Sequence, residues 1–142
     1  MASGDEPARA AWTALTELFF SDAVHDRLHD AVAAARLPHP GALKALMQLE
    51  AGDPPSMRTL AERLRCDASY VTNLVDQLEA AGLVERRVSP TDRRVKLVHL
   101  TPAGRRARDR ARNVITTPLD TFDRLSESEA RSLARLLDKL LG

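Results

Sequence analysis

Six polar side chains near the middle of the chain, Ser69, Tyr70, Thr72, Asn73, Asp76 and Gln77, are interleaved with the apolar residues Val71, Leu74, Val75 and Leu78. Apolar positions recurring three and four apart mark one buried face of a helix, so the six polar groups share the other face. Hydroxyls, amides and a carboxylate there are suited to hydrogen bonding at base edges and phosphates, whereas an ordinary solvated face more often carries Lys and Glu. Further along, Arg86, Arg87, Arg93, Arg94 and Lys96 surround the turn sequence Ser89-Pro90-Thr91-Asp92. Guanidinium and ammonium groups on a projecting loop can neutralise phosphates or enter a minor groove.

The elements that must hold these groups follow from the flanking pattern. Leu60, Ala61 and Leu64 show helical spacing, Arg65-Cys66-Asp67 interrupts it, and the polar helix begins after the break. Gly82 is a helix stop, and the runs 83–88 and 95–100 on either side of the turn read as two strands. Residues 59–101 therefore read as a winged helix-turn-helix, a fold that places one helix in a major groove. The charge agrees with this. The whole chain is only +1, yet residues 58–112 hold 13 basic and 7 acidic side chains, against 4 and 8 in residues 1–57 and 4 and 5 in residues 113–142. Basic charge concentrated on the motif is the footprint of a local nucleic-acid surface.

The rest of the chain reads as helices. Residues 1–5 look like a loose terminus, and residues 7–36 lack Gly and contain Pro only at their start, which fits one long helix with a bend near Ser21 and Asp22. Pro40 opens a short helix over 41–50, and Ser56 is placed to cap the first helix of the motif. Thr101-Pro102 starts another helix rich in arginine, from Arg105 to Arg112; the usual fate of such residues is solvent or intersubunit pairing, the alternative being contact of the first turn, next to the hairpin, with a DNA backbone. Thr116-Thr117-Pro118 breaks that helix, Ser126 and Glu129 have capping-box spacing, and Leu133, Leu136, Leu137, Leu140 and Leu141 form an apolar stripe. Such a stripe must be covered, either within the chain by Trp12, Leu15 and Phe19 or across a two-fold axis of the kind a palindromic site requires.

The motif resembles MarR-type bacterial transcription regulators. The residues that carry the resemblance are Leu60-Ala61, Val71-Thr72-Asn73-Leu74-Val75-Asp76-Gln77-Leu78-Glu79, Gly82-Leu83-Val84, Asp92-Arg93-Arg94 and Leu100-Thr101. It implies a homodimer built by helices at both chain ends, with Arg94 held by Asp92 and inserted into the minor groove. It also implies a pocket between dimerisation helices and winged domain that takes an aromatic or phenolic effector. Trp12, Phe19, His25, His29, Arg36 and His39 are the candidate lining, an aromatic wall with cationic and hydrogen-bonding groups. Asn73 stands where many members have Arg, and Arg65 where the turn usually has Gly.

Other chemistries are poorly supported. His25 and His29 are four apart on one helix, spacing that lets two imidazoles share a metal, but they equally suit a half-exposed polar face, and no metal or cofactor is expected. There is no nucleophile elbow, phosphate-binding Gly loop or paired-Cys motif, so the chain does not read as an enzyme. Cys66, the single cysteine, is either a small core plug or, beside Arg63 and Arg65, an oxidant sensor. Oxidant-sensing members of the resembled family carry their reactive cysteine near the chain start, where this sequence has none. With no apolar run near the about 20 residues of a membrane span and no leader, a cytoplasmic location is expected. The expectation is thus a mainly helical α+β fold. It comprises a dimerisation helix at 1–36, a winged helix-turn-helix at 37–101 and dimerisation helices at 102–142. Its function would be that of a ligand-responsive repressor on duplex DNA; the alternative is a winged-helix adaptor that binds protein.

Overall fold

The computed structural model describes residues 5–50 and 52–142. The stretch expected to be a loose terminus lies outside these except for Asp5, which already begins the first helix, α1 (Asp5–Phe19). The predicted long helix is two helices. Ser21 ends the first by donating from Oγ to the Leu18 carbonyl at 2.6 Å and starts α2 (Asp22–Ala34) by accepting from the Val24 N–H at 3.4 Å. A serine hydroxyl that competes for backbone groups at both ends turns the expected bend into a break.

Three short helices follow: α3 (Pro40–Met47), α4 (Met57–Leu64) and α5 (Ala68–Ala80). The Ser56 hydroxyl caps α4 by accepting from the Thr59 N–H at 3.0 Å. Helix α4 ends with the Cys66 N–H on the Ala61 carbonyl and the Arg65 N–H on the Glu62 carbonyl, the paired bonds of a Schellman cap. This puts Arg65 in the left-handed region at φ 52°, the conformation its unusual place in the turn demanded. Arg36 closes α2 in the same way at φ 53°, and Gly82 closes α5 at φ 74°.

The hairpin is β1 (Val84–Val88) paired antiparallel with β2 (Lys96–Leu100), Val84 opposite Leu100 and Val88 opposite Lys96. A third extended segment lies along β2: Ser56 bridges Leu97, and the Val98 N–H donates to the Pro55 carbonyl at 2.8 Å. Proline lacks an N–H, so 54–56 shows no strand pattern although its one carbonyl still joins the ladder.

Helix α6 (Pro102–Thr116) starts at the Thr101 cap and runs against α2; a 3-10 turn, Asp120–Arg124, leads to α7 (Glu127–Leu141). The core gathers Leu43, Leu46, Leu49, Leu60, Leu64, Val71, Leu74, Val75, Leu78, Val84 and Val98 from α3, α4, α5 and the hairpin, with Ala31, Ala107 and Ala111 where α2 crosses α6. Burying each of the larger residues is worth about 1.5–3 kcal/mol. In contrast, α1 and α7 bury no residue.

The capping box at Ser126 is formed, the Glu129 carboxylate accepting from the Ser126 N–H at 2.8 Å and the Ser126 hydroxyl from the Glu129 N–H at 3.2 Å. These contacts hold the Glu129 carboxyl below its usual range, chiefly through the Ser126 backbone N–H. Ser126→Ala should weaken α7 by about 1 kcal/mol, and amide exchange confined to its first turn would register the loss.

A candidate nucleic-acid interface

The apolar residues of α5 face the core, and all six polar side chains singled out in the sequence are exposed. Their surroundings differ. On the side of α5 toward α3, the His39 ring meets the Gln77 carbonyl oxygen at 2.7 Å, and the Tyr70 hydroxyl reaches so near Gly41 that a Cβ there would stand 2.6 Å from it. On the side toward the wing, Asp76 is engaged by Arg86, and the Thr72 hydroxyl bonds back to the Ala68 carbonyl at 2.9 Å. Ser69 and Asn73 lie between, without side-chain hydrogen bonds to other described residues.

Arg86, grouped by sequence with the phosphate-seeking cations, is turned inward instead. Its guanidinium binds the Glu79 carboxylate at 3.1 Å, the Asp76 carboxylate and the Thr72 carbonyl at 3.3 Å, and its backbone N–H donates to Glu79 at 2.9 Å. With 17% of its side chain exposed, it ties β1 to α5. The correction has a simple cause: β1 emerges from the Gly82 turn alongside α5, and the carboxylates of Asp76 and Glu79 are the nearest anions.

The other wing cations point outward. Arg87 pairs with Glu85 two residues back, which lowers the Glu85 carboxyl below its usual range. At the tip, Arg94 Nε and Nη2 each donate to the Asp92 carboxylate at 3.2 Å, and the Arg94 N–H donates to it at 3.0 Å. Arg94 nevertheless keeps 89% of its side chain exposed, while Arg93 and Lys96 are exposed as well. The Asp92 carboxyl is held below the ordinary range, first by the Arg94 side chain and then by its N–H. The sign follows directly: the tip's stabilisation is complete above the unfolded carboxylate value and is lost only as pH falls through the lower folded value.

A helix of short polar groups beside an arginine-tipped hairpin invites comparison with known proteins. The sequence model of the MarR family matches residues 40–96. A Thauera aromatica protein described as a transcriptional regulatory protein for the hcr operon is 38% identical over 100 residues, 69% of this chain and 60% of that protein. The helix-turn-helix regulator YcgE of Bacillus subtilis is 31% identical over 112 residues, 78% of this chain and 73% of YcgE. The chain belongs to the MarR family. The crystal structure of RV1404 from Mycobacterium tuberculosis superposes with a TM-score of 0.75 at 26% identity, covering 99% of this chain and 92% of that one. The Thauera aromatica and Bacillus subtilis relatives are both described as transcriptional regulators.

The remaining candidates on this MarR-family chain are not gathered into one pocket. Trp12 and Phe19 line an open apolar groove of about 490 Å³ along α1 with Leu15, Thr16 and Phe20. The His25 and His29 rings on α2 lie tilted against each other, with centroids 4.4 Å apart and an interplanar angle of 59°. Arg36 is exposed on the α2 cap, and His39 lies beside α5. Cys66 is half-buried, its Sγ–H donating to the Leu64 carbonyl at 3.2 Å, so a carbonyl and not a guanidinium is its polar partner.

Two of the α6 arginines are likewise committed within the chain. Arg110 donates to the Ala34 carbonyl at 3.0 Å, and Arg108 donates to the Leu49 carbonyl. In return, Arg27 of α2 holds the Val114 carbonyl at 3.1 Å together with the carbonyls of Thr117 and Pro118. Antiparallel α2 and α6 thus cap each other's C-terminal carbonyls with arginines, as the helix dipole favours. Arg105, Arg106 and Arg112 remain exposed.

Proposed function

We propose that the chain is a sequence-specific, duplex-DNA-binding regulator that works as a homodimer on a pseudo-palindromic operator and represses until an effector binds. The observations that carry this reading are the exposed polar face of α5 and the exposed Arg94-tipped hairpin, on a segment where basic charge is concentrated. Ser69, Tyr70, Thr72, Asn73 and Gln77 would meet the major groove; Arg93, Arg94 and Lys96, with Arg87, would reach the backbone and the flanking minor groove.

The dimer is supported by apolar surface that one copy leaves open. Trp12 is 68% exposed, Phe19 64%, Leu140 75% and Leu141 86%. Paired α1 and α7 from two copies would bury it and set two α5 helices about 34 Å apart, one DNA turn. Residues 1–36 and 102–142 are then the dimerisation segments and 37–101 the DNA-binding domain. An aromatic or phenolic effector would enter between the dimerisation helices and the winged domain. Such a ligand acts only if it binds one spacing of the two α5 helices better than another. No helix among the described residues is long and apolar enough to cross a membrane. We assign the protein to the cytoplasm, where its duplex would be.

The test is selection of duplexes from a random pool, followed by titration across ionic strengths. Wild type should enrich a two-fold symmetric sequence and bind it with steep salt dependence. Arg94→Ala should weaken binding about tenfold and reduce the salt slope by about one, or change A·T preference at the flanks. A protein that binds no duplex at any salt concentration would instead be the protein-binding adaptor.

A further inference from the structure

We infer that His39 is a positioning residue for base readout: it turns the Gln77 side-chain amide so that Gln77 meets the duplex as a hydrogen-bond donor only. The inference rests on the DNA-binding reading above. His39 is the N-cap of α3, and its Nδ1 accepts from the Gly41 backbone N–H at 3.1 Å. A nitrogen that accepts carries no proton, so in the neutral ring the proton sits on Nε2. Nε2 lies 2.7 Å from Gln77 Oε1 and therefore donates to it. A backbone N–H, which cannot change its polarity, thus dictates through the imidazole which end of the Gln77 amide faces inward. The NH₂ end is left as the free end of a side chain exposed on α5.

The close packing around the ring fits this purpose. A Cβ at Gly41 would lie 2.8 Å from His39 Cε1 and 2.6 Å from the Tyr70 hydroxyl, so a side chain there would displace the Tyr70 hydroxyl and the His39 ring from these positions. The consequence for specificity is chemical. Glutamine reads adenine by accepting from N6 while donating to N7, which needs both ends of the amide. With the carbonyl oxygen turned toward His39, Gln77 has the two donors of its NH₂ to offer, and guanine answers them with adjacent acceptors at O6 and N7. Adenine sets a donor next to its single acceptor and is disfavoured.

The experiment compares selected duplex profiles for wild type, Gln77→Ala and His39→Asn. Asparagine is a good N-cap, so α3 should keep its start, but it is too short to bridge to Gln77. In each half-site one base pair should prefer guanine severalfold over adenine in wild type. That preference should flatten in Gln77→Ala, and in His39→Asn it should move severalfold toward adenine at unchanged thermal stability. A purely structural role for His39 would lower affinity without moving one position. The inference is overturned if His39→Asn keeps the wild-type profile, or if Gln77→Ala changes no position. A wild-type protein that selects no duplex would sink the DNA-binding reading, and the relay is then judged in the free protein. There, nitrogen NMR at about pH 8, where an ordinary imidazole is neutral, should show His39 protonated on Nε2. Protonation on Nδ1 would overturn it.

Discussion

Replacing Gly104 with alanine should cost about 3 kcal/mol or more, at the upper end of what overpacking a core does. Gly104 sits in the first turn of α6, where a Cβ would lie 1.8 Å from the Leu83 carbonyl oxygen, 2.8 Å from the Leu83 carbonyl carbon and 3.1 Å from the Leu100 side chain. The obstacle is backbone, so no rotamer change relieves it. The same Leu83 oxygen accepts from the Thr101 N–H at 3.0 Å, and the Thr101 hydroxyl donates to the Gly82 carbonyl at 2.6 Å. To make room, α6 would have to withdraw from the turn that links α5 to the hairpin. In a chain of this size the loss should lower Tm by about 10 °C. Urea unfolding beside the exposed neighbour Arg105→Ala, expected to be near neutral, measures it. A Gly104→Ala midpoint equal to wild type would show that α6 adjusts without cost.

For Arg86→Ala, duplex affinity should drop about 100-fold, more than for any single exposed wing cation. A charge-assisted hydrogen bond is worth about 1.5–3 kcal/mol, and each 1.4 kcal/mol is a factor of ten in affinity. Arg86 makes such bonds to both Asp76 and Glu79 and adds one to the Thr72 carbonyl. Its loss leaves two carboxylates without their counter-ion on the flank of α5 that faces the wing, beside the proposed path of the phosphates. It also removes the strut that sets the hairpin's angle to α5. The variants that separate the effects are specific. Arg86→Lys keeps the charge but loses the planar fork, so it should recover only part of the affinity. Adding Asp76→Asn and Glu79→Gln to Arg86→Ala should recover the electrostatic share. Binding by Arg86→Ala equal to wild type would mean that neither the charge balance nor the wing angle depends on this residue.

The two expectations differ in how visible their causes are along the chain. Gly104 follows a clear start signal at Thr101-Pro102, but nothing near it announces that a carbonyl 21 positions earlier will press against it. Arg86 was read as one cation among five because its neighbours in sequence are cations; its anions are 7 and 10 residues away on another element. The reading of the α5 face was sound as to exposure, since apolar spacing alone decides which side is buried. It was silent on which polar groups would be engaged.

What the sequence by itself determined is whatever is settled within about one helical turn. This includes the caps at Ser56, Thr101 and Ser126, the left-handed stop at Gly82, the family, and the Asp92–Arg94 pair two residues apart. Hydrogen-bond partners and apolar spacing at that range are dictated by local chain geometry, so residue order suffices. Only the tertiary structure decided that Pro55 joins the sheet, that Arg27 and Arg110 exchange caps between α2 and α6, and that His39 meets Gln77 across 38 positions. Long polar side chains reach whichever complementary group folding brings near, and that group's distance along the chain carries no signal. Which cations remain free for a polyanion, and which amide end faces it, is therefore a property of the folded surface.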